Sequence, residues 1–284
     1  MGGRTSTRRE AAWRFDHGAA RLELGAPELA DKRSTWEAAG VVTPWVPQSA
    51  REHGATWIGV PGANALCAHL SHGLDVRTGQ QVVQLARSGE AWRLVLETGA
   101  ASELFDAVVL TAPPPQTRAL LASASISAHD NMLEQTEMAP CLAAMVVLAS
   151  RDEKVDDLNL TTGPLAQAYR MDRRPGRPSS DGQQAWVVHA SEAWSRAHLE
   201  EDPDASSRVL ASALAKEVGG EVIQARGHRW RYARATRRIP APNLWDAERA
   251  IALAGDWFEA GTHAPAASRA LLSGYALAQA LCGG

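Results

Sequence analysis

Cysteine is scarce. The three present, Cys67, Cys141 and Cys282, form no C-x-x-C pair and stand at no metal-ligand spacing from a histidine. That excludes a disulfide framework or a zinc module and points to a reducing compartment. Long apolar runs are also missing. The longest, residues 141–149 behind Pro140, falls far short of the ~20 residues a membrane helix needs, so it reads as a core segment. No apolar stretch follows the arginines near the start, so no secretory signal is visible; the expectation is a cytoplasmic protein with no membrane partner. An excess of one charge is lacking too: 29 Lys plus Arg against 32 Asp plus Glu leave a net charge of −3. This gives no global electrostatic case for nucleic acid or an anionic bilayer. G-x-S-x-G, H-E-x-x-H, Walker and EF-hand patterns are absent, leaving no signature of a nucleophile elbow or a bound metal. Phe and Tyr, three of each, are outnumbered by ten Trp.

What is present suffices for a folded core. Over 284 residues, 45% hydrophobic and 21% charged, the chain fits one large domain or two intertwined ones. Alternation over residues 21–24 predicts a strand stopped by Gly25-Ala26-Pro27, and a helix is expected over 28–39, ended by Gly40. A short strand at 41–45, another at 57–59 and a helix over 63–70, with Leu66 and Leu70 on one face, follow. Residues 82–85, 92–96 and 105–110 read as a meander of three strands whose last, nearly all apolar, is buried on both faces. A helix starts at Gln116. Beyond Met138, strands are expected at 141–148, 185–190 and 228–233, with an exposed Pro/Gly/Ser-rich loop over 173–184. An amphipathic helix over 206–218 ends at Gly219-Gly220. The chain closes with a strand at 251–254, a turn at Gly255-Asp256-Trp257 and a helix over 265–281. The order is mixed α/β with an inserted meander.

Four groups carry chemical possibilities. Gly2-Gly3-Arg4 lets backbone N–H groups and a guanidinium approach a phosphate, or is a frayed terminus. Gly255-Asp256 lies between a strand and a helix, where ligands meet the carboxyl ends of sheet strands, or is an ordinary turn. His228-Arg229-Trp230-Arg231-Tyr232 alternates, so a strand would put His228, Trp230 and Tyr232 on one face and the arginines on the other. That pattern suits a sheet strand with paired arginines, a stacking surface for bases, or a face over a flat ligand. Asp16-His17 resembles a catalytic dyad, but neighbours on a strand point to opposite faces, so His17 reads as structural or pocket-lining.

Taken in order, Gly2-Gly3-Arg4 with Thr7-Arg8-Arg9, Phe15-Asp16-His17-Gly18-Ala19, Trp57-Ile58-Gly59-Val60-Pro61-Gly62, the 105–113 strand, Trp194-Ser195-Arg196, His228-Arg229-Trp230-Arg231-Tyr232 and Ala254-Gly255-Asp256-Trp257 resemble renalase-like FAD-dependent oxidoreductases of the flavin amine oxidase superfamily. The resemblance runs over essentially the whole chain. It implies an α/β (α+β) fold with a Rossmann-like, NAD(P)-binding-type FAD domain of the p-hydroxybenzoate hydroxylase kind, built from residues 1–25, 55–125 and 245–284. A mixed-sheet substrate domain would comprise 26–54 and 126–244. It further implies that Gly2, Gly3 and Arg4 lie at the FAD pyrophosphate, that Val83 meets the adenine through its backbone, and that Gly255 and Asp256 hold the diphosphate–ribityl region. His17, His228, Trp230 and Trp257 would surround the flavin and substrate. No catalytic residue and no metal is assigned. The implied reaction is hydride transfer from a dihydronicotinamide-like or amine substrate to flavin and then to O₂.

One departure matters. The family opens with a βαβ unit whose G-x-G-x-x-G turn seats the pyrophosphate, and only Met1 precedes Gly2 here. The expectation is an N-terminally incomplete FAD domain, through a gene model clipped at an internal Met rather than through degeneration into a non-catalytic binding module. It would hold FAD weakly or not at all and leave strands such as 251–254 with an unpaired edge. The oligomeric state is not readable.

Overall fold

The computed structural model describes residues 2–47, 56–150, 155–261 and 263–283. The chain forms two compact units, the first comprising Met1–Leu24, Asp31–Leu74 and Ala139–Ala233, the second Gly25–Ala30, Asp75–Met138 and Arg234–Gly284.

The first unit opens with an antiparallel hairpin, β1 (Arg8–Glu10) and β2 (Trp13–Phe15). Helix α1 (Ala30–Ala38) ends just before Gly40, whose φ of 69° breaks the helix at no steric cost. The antiparallel pair β3 (Val42–Trp45) and β4 (Thr56–Gly59) leads to helix α2 (Ala65–Leu70). The second unit then takes over with the meander β5 (Val82–Ser88), β6 (Ala91–Leu96) and β7 (Ala101–Phe105), strand β8 (Val108–Leu110), and helices α3 (Pro114–Ser123) and α4 (Asp130–Glu134). The chain returns through β9 (Glu137–Ala149), β10 (Asp157–Asn159), β11 (Leu165–Arg170), β12 (Gln183–Ala190), helices α5 (Glu192–Ala197) and α6 (Pro203–Val218), and β13 (Glu221–Arg237). It closes with β14 (Leu244–Asp246), β15 (Ile251–Leu253) and α7 (Ala266–Cys282).

In the first unit β9 is an interior strand, between β12 and β13, of a five-stranded sheet of order β10-β11-β12-β9-β13. Its alternation sorts two cores. Leu142, Ala144, Val146 and Leu148 pack with Leu210, Leu214 and Val218 of α6. Met145 and Val147 pack with Trp13 and Phe15 of the hairpin. A strand covered on both faces reads as a continuous apolar run, which is why residues 141–149 stood out in the sequence. Helix α6 starts where the Asp202 carboxylate accepts a hydrogen bond from Ala205 N–H at 2.8 Å, with Pro203 at the first helical position.

In the second unit β15 runs parallel to β8 and antiparallel to β14. Leu85, Trp92, Leu121, Ile251, Leu253 and Phe258 share one core, where the buried Trp92 indole N–H donates to the Arg249 carbonyl at 2.9 Å.

Several expectations are corrected. Residues 21–24 form no ladder: Leu22 and Leu24 are buried as the alternation required, but among the described residues their one β-bridge is Leu22 to Trp57. Leu66 is buried, whereas Leu70 is exposed. The expected strand over 105–110 is two strands. Phe105 pairs with Trp92 in the meander, while Val108–Leu110 pairs with Ile251–Leu253, and one straight strand cannot serve both sheets. Nor is β8 covered on both faces, since Val109 is 45% exposed. The predicted unpaired edge at 251–254 is absent because β15 lies between β14 and β8; the edges of this sheet are β14 and β8. The loop over 173–184 is not wholly exposed, for Arg174 is buried.

Candidate functional site

In the first unit the segment after β2 is fixed by charge. Asp16, fully buried, accepts hydrogen bonds from the Thr7 hydroxyl at 2.6 Å, from Ala63 N–H at 3.0 Å and from Arg177 Nη2. Arg174 lies 3.9 Å from its Oδ2 and 3.7 Å from Asp157, which Arg21 also meets at 2.7 Å. Buried charges persist only when paired in this way. The network ties together the hairpin, the turn after β4 and the 171–177 loop, and it occupies Asp16 fully. Asp16 and His17 therefore form no dyad.

Gly18 is the next constraint. A Cβ there would stand 1.9 Å from the Arg4 carbonyl oxygen and 3.1 Å from the Trp230 ring, so only glycine permits the contact in which Ala19 N–H donates to that carbonyl at 2.7 Å. The preceding carbonyl, of His17, accepts from Trp230 Nε1 at 3.0 Å and from His189 Nε2 at 3.3 Å. Three rings then converge. His17 stands edge-on to His228 with centroids 4.7 Å apart, and Trp230 lies 5.2 Å from His17 and 4.3 Å from His228. Burial, then the nearby Arg8 charge, brings His17 down to about 4. Burial, then His17 and Arg8, does the same to His228, and burial lowers His189 to about 4. At neutral pH this is an uncharged face.

At the chain start Gly2 and Gly3 have φ of 114° and 49°, and Gly3 opens onto empty space. Arg4 spends one N–H on the Ala233 carbonyl at 3.1 Å.

In the second unit the carboxyl end of β15 leads into Gly255, whose φ is 152° and whose Cβ would fall 2.6 Å from Trp257 Nε1. Its N–H donates to the buried Ser273 hydroxyl of α7 at 3.0 Å. Asp256 is buried and its carbonyl accepts from Arg269 Nε at 3.1 Å. Trp257 is fully buried, its ring tilted by 30° against Phe258 with centroids 4.4 Å apart. Val83, 44% exposed, falls where the β5–β6 register skips from Val82 to Gln84; the extra residue of such a bulge keeps its backbone groups outside the ladder.

The structure thus brings His17, His228 and Trp230 together in the first unit, and Gly255, Asp256 and Trp257 in the second. Sequence reasoning missed Arg174, Arg177, His189 and Ser273. Arg174 and Arg177 lie in a loop rich in turn formers, and Ser273 is one small residue in an Ala/Leu-rich helix; neither context signals a buried polar role.

Each unit holds an orphaned buried ring nitrogen: His17 Nδ1 in the first and Trp257 Nε1 in the second have no hydrogen-bond partner among the described residues, a state that costs about 1–3 kcal/mol per group. At the His17–His228–Trp230 face it fits a ring ligand that bears carbonyl or ring-nitrogen atoms, as a flavin does. Among the described residues no group of three His, Cys, Asp or Glu side chains could hold a metal, and no helix is long and apolar enough to cross a membrane.

A family model for flavin containing amine oxidoreductases matches residues 48–282, and the chain belongs to that family. Its mixed α/β fold is similar to solved FAD-type oxidases. One, from Exiguobacterium sp. 255-15 and described as a protoporphyrinogen oxidase, is 16% identical with a TM-score of 0.59, covering 82% of this chain and 54% of that one. A putrescine oxidase solved with putrescine bound is 12% identical, TM-score 0.56, over 81% and 54%. An oxidoreductase of Methanosarcina mazei is 16% identical, TM-score 0.57, over 80% and 56%. The chain spans about half the length of these structures.

Proposed function

We propose that the chain serves a renalase-like, FAD-dependent oxidation in which a dihydronicotinamide-like or amine carbon gives up a hydride. The observation that carries this reading is the uncharged His17–His228–Trp230 face. The chemistry supplied by bound FAD is acceptance of that hydride, with O₂ as final acceptor and hydrogen peroxide as its product.

The chain's own residues would orient and exclude. His17 and His228, neutral at pH 7, are poor bases, so they take no proton from the substrate and instead present flat, desolvated surfaces. Trp230, anchored by its bond to the His17 carbonyl, would fix the angle of the ring beside it. Gly2, Gly3 and Arg4 would meet the pyrophosphate, and the skipped backbone of Val83 would meet the adenine. Gly255 and Asp256 would hold the diphosphate–ribityl region, with Trp257 at the isoalloxazine. We assign residues 1–25, 55–125 and 245–284 to cofactor binding in a p-hydroxybenzoate hydroxylase-type arrangement, and 26–54 and 126–244 to substrate binding. This functional grouping cuts the chain differently from the compact units, since Met1–Leu24 and Asp31–Leu74 belong with the five-stranded sheet. The 284 residues contain no G-x-G-x-x-G turn, so FAD should be held dissociably.

The test is anaerobic mixing of the FAD-supplemented chain with a dihydronicotinamide isomer or with putrescine. Bleaching of the flavin band by either, with recovery and peroxide formation on admitting air, supports the reading. An unchanged spectrum with both overturns it. A nucleic-acid reading gains nothing from the outer part of the arginine-rich strand: Arg231 is held by Glu200, and Arg237 and Arg238 face Glu137 and Glu259.

A further inference from the structure

Beside the aromatic face, and still in the first unit, lies an open cleft of about 480 Å³ lined by Arg8, Asp204, Arg226, Gly227, His228 and Arg229. Its volume falls within the range of small-molecule sites, roughly 300–1,000 Å³. His228 belongs to both places, since its ring also contacts His17 and Trp230.

The lining is cationic and under-used. Each guanidinium carries five N–H donors. The Arg8 and Arg226 side chains make no hydrogen bond among the described residues; each guanidinium meets only Glu10, at 3.9 and 3.4 Å, outside bidentate geometry. Arg229 gives Nη2 to the Glu201 carbonyl at 2.5 Å, while its Nε is buried with no partner. The one carboxylate in the lining, Asp204, is engaged by Gly227 N–H at 2.8 Å. That bond and the absence of a side chain at Gly227, where a Cβ would lie 1.8 Å from the Pro203 carbonyl oxygen, hold the strand and the start of α6 together at the cleft floor. Arg8 and Arg226 share one loosely placed carboxylate, Glu10, and Arg229 meets Glu200 only at 3.7 Å. Together the three form a receptor for an anion, because guanidinium groups bind phosphate and carboxylate through paired N–H donors.

We infer that this cleft binds the anionic arm, phosphate or carboxylate, of the substrate whose oxidisable part lies against His17, His228 and Trp230. The inference rests on the oxidoreductase reading for what the anion is attached to, and on the cleft alone for the anion itself. It also separates the two substrate classes. A diamine would bring its cationic end to three arginines, whereas a ring compound bearing phosphate or carboxylate would find them complementary. The neutral histidines fit the same division, since they leave Arg8 as the positive charge closest to the rings.

Titration calorimetry of the full chain tests this with inorganic phosphate in one arm and acetate in the other, at low salt and without FAD, so that loss of flavin binding cannot mask the outcome. Saturable binding of phosphate or acetate is expected, the tighter one identifying the arm. Arg226→Gln should weaken it about tenfold, the loss of one charge-assisted contact. Glu10→Gln, which frees the shared arginines, should tighten it about threefold, a gain that misfolding cannot imitate. Arg118→Gln, in α3 of the second unit and paired with Glu134, should leave it unchanged. No saturable binding of either anion, or equal weakening by Arg118→Gln and Arg226→Gln, would overturn the inference. If the anion binds but no substrate bleaches added flavin, the cleft stands and the oxidoreductase reading falls.

Discussion

Asp16 and His17 are neighbours with opposite electrostatic environments. Asp16 is buried yet fully engaged, with Thr7, Ala63 and Arg177 on its oxygens. Asp16→Ala would leave the buried Arg177 guanidinium without its counter-charge and Arg174 with Asp157 alone, and urea unfolding should show a loss of about 3–5 kcal/mol. Gly18→Ala, which forces a Cβ onto the Arg4 carbonyl, should cost about 1–3 kcal/mol in the same assay. His17, His189 and His228 are kept neutral, each near 4 against an ordinary 6.5. Between those values the unfolded chain binds more protons than the folded one. Stability is therefore full above about pH 6.5 and falls as the pH drops toward 4. The urea midpoint should decline between pH 7 and pH 4.5, and His17→Gln should flatten that decline; a midpoint as high at pH 4.5 as at pH 7 would contradict the burial of neutral imidazoles.

At the scale of elements, helix α6 offers the cleanest test. Its start depends on one side-chain cap, so Asp202→Ala should destabilise the protein by about 1 kcal/mol in thermal or urea unfolding. Strand β8 makes the opposite prediction. Its outer edge carries the exposed Val109, and Val109→Lys should leave stability within about 0.5 kcal/mol while lowering self-association in light scattering. These elements also show what a sequence can convey. Helix α6 was legible because Leu210, Leu214 and Val218 repeat at helical spacing and Gly219 ends it. The bend that separates β7 from β8 was not, because the apolar run over 105–110 continues through a change of partner that only tertiary pairing decides. Residues 21–24 alternate correctly but lack a neighbouring strand, and alternation reports burial, not hydrogen bonding.

For the whole molecule, the flavoprotein family was legible from motif order, from Phe15-Asp16-His17-Gly18 near the start to Ala254-Gly255-Asp256-Trp257 near the end, although overall identity to the solved structures is only 10–16%. The buried ion-pair network was not legible, because its members come from residues 16, 157, 174 and 177, and no local pattern marks a charge that will be desolvated. The central claim is that this chain presents an FAD-binding surface through the Gly255–Asp256 turn. The most direct measurement is a fluorescence titration of the desalted chain with FAD, run beside Asp256→Ala. The account predicts saturable quenching with a Kd of roughly 1–100 μM, weakened about tenfold by Asp256→Ala. Absence of saturable quenching, or identical curves for the two proteins, would contradict it.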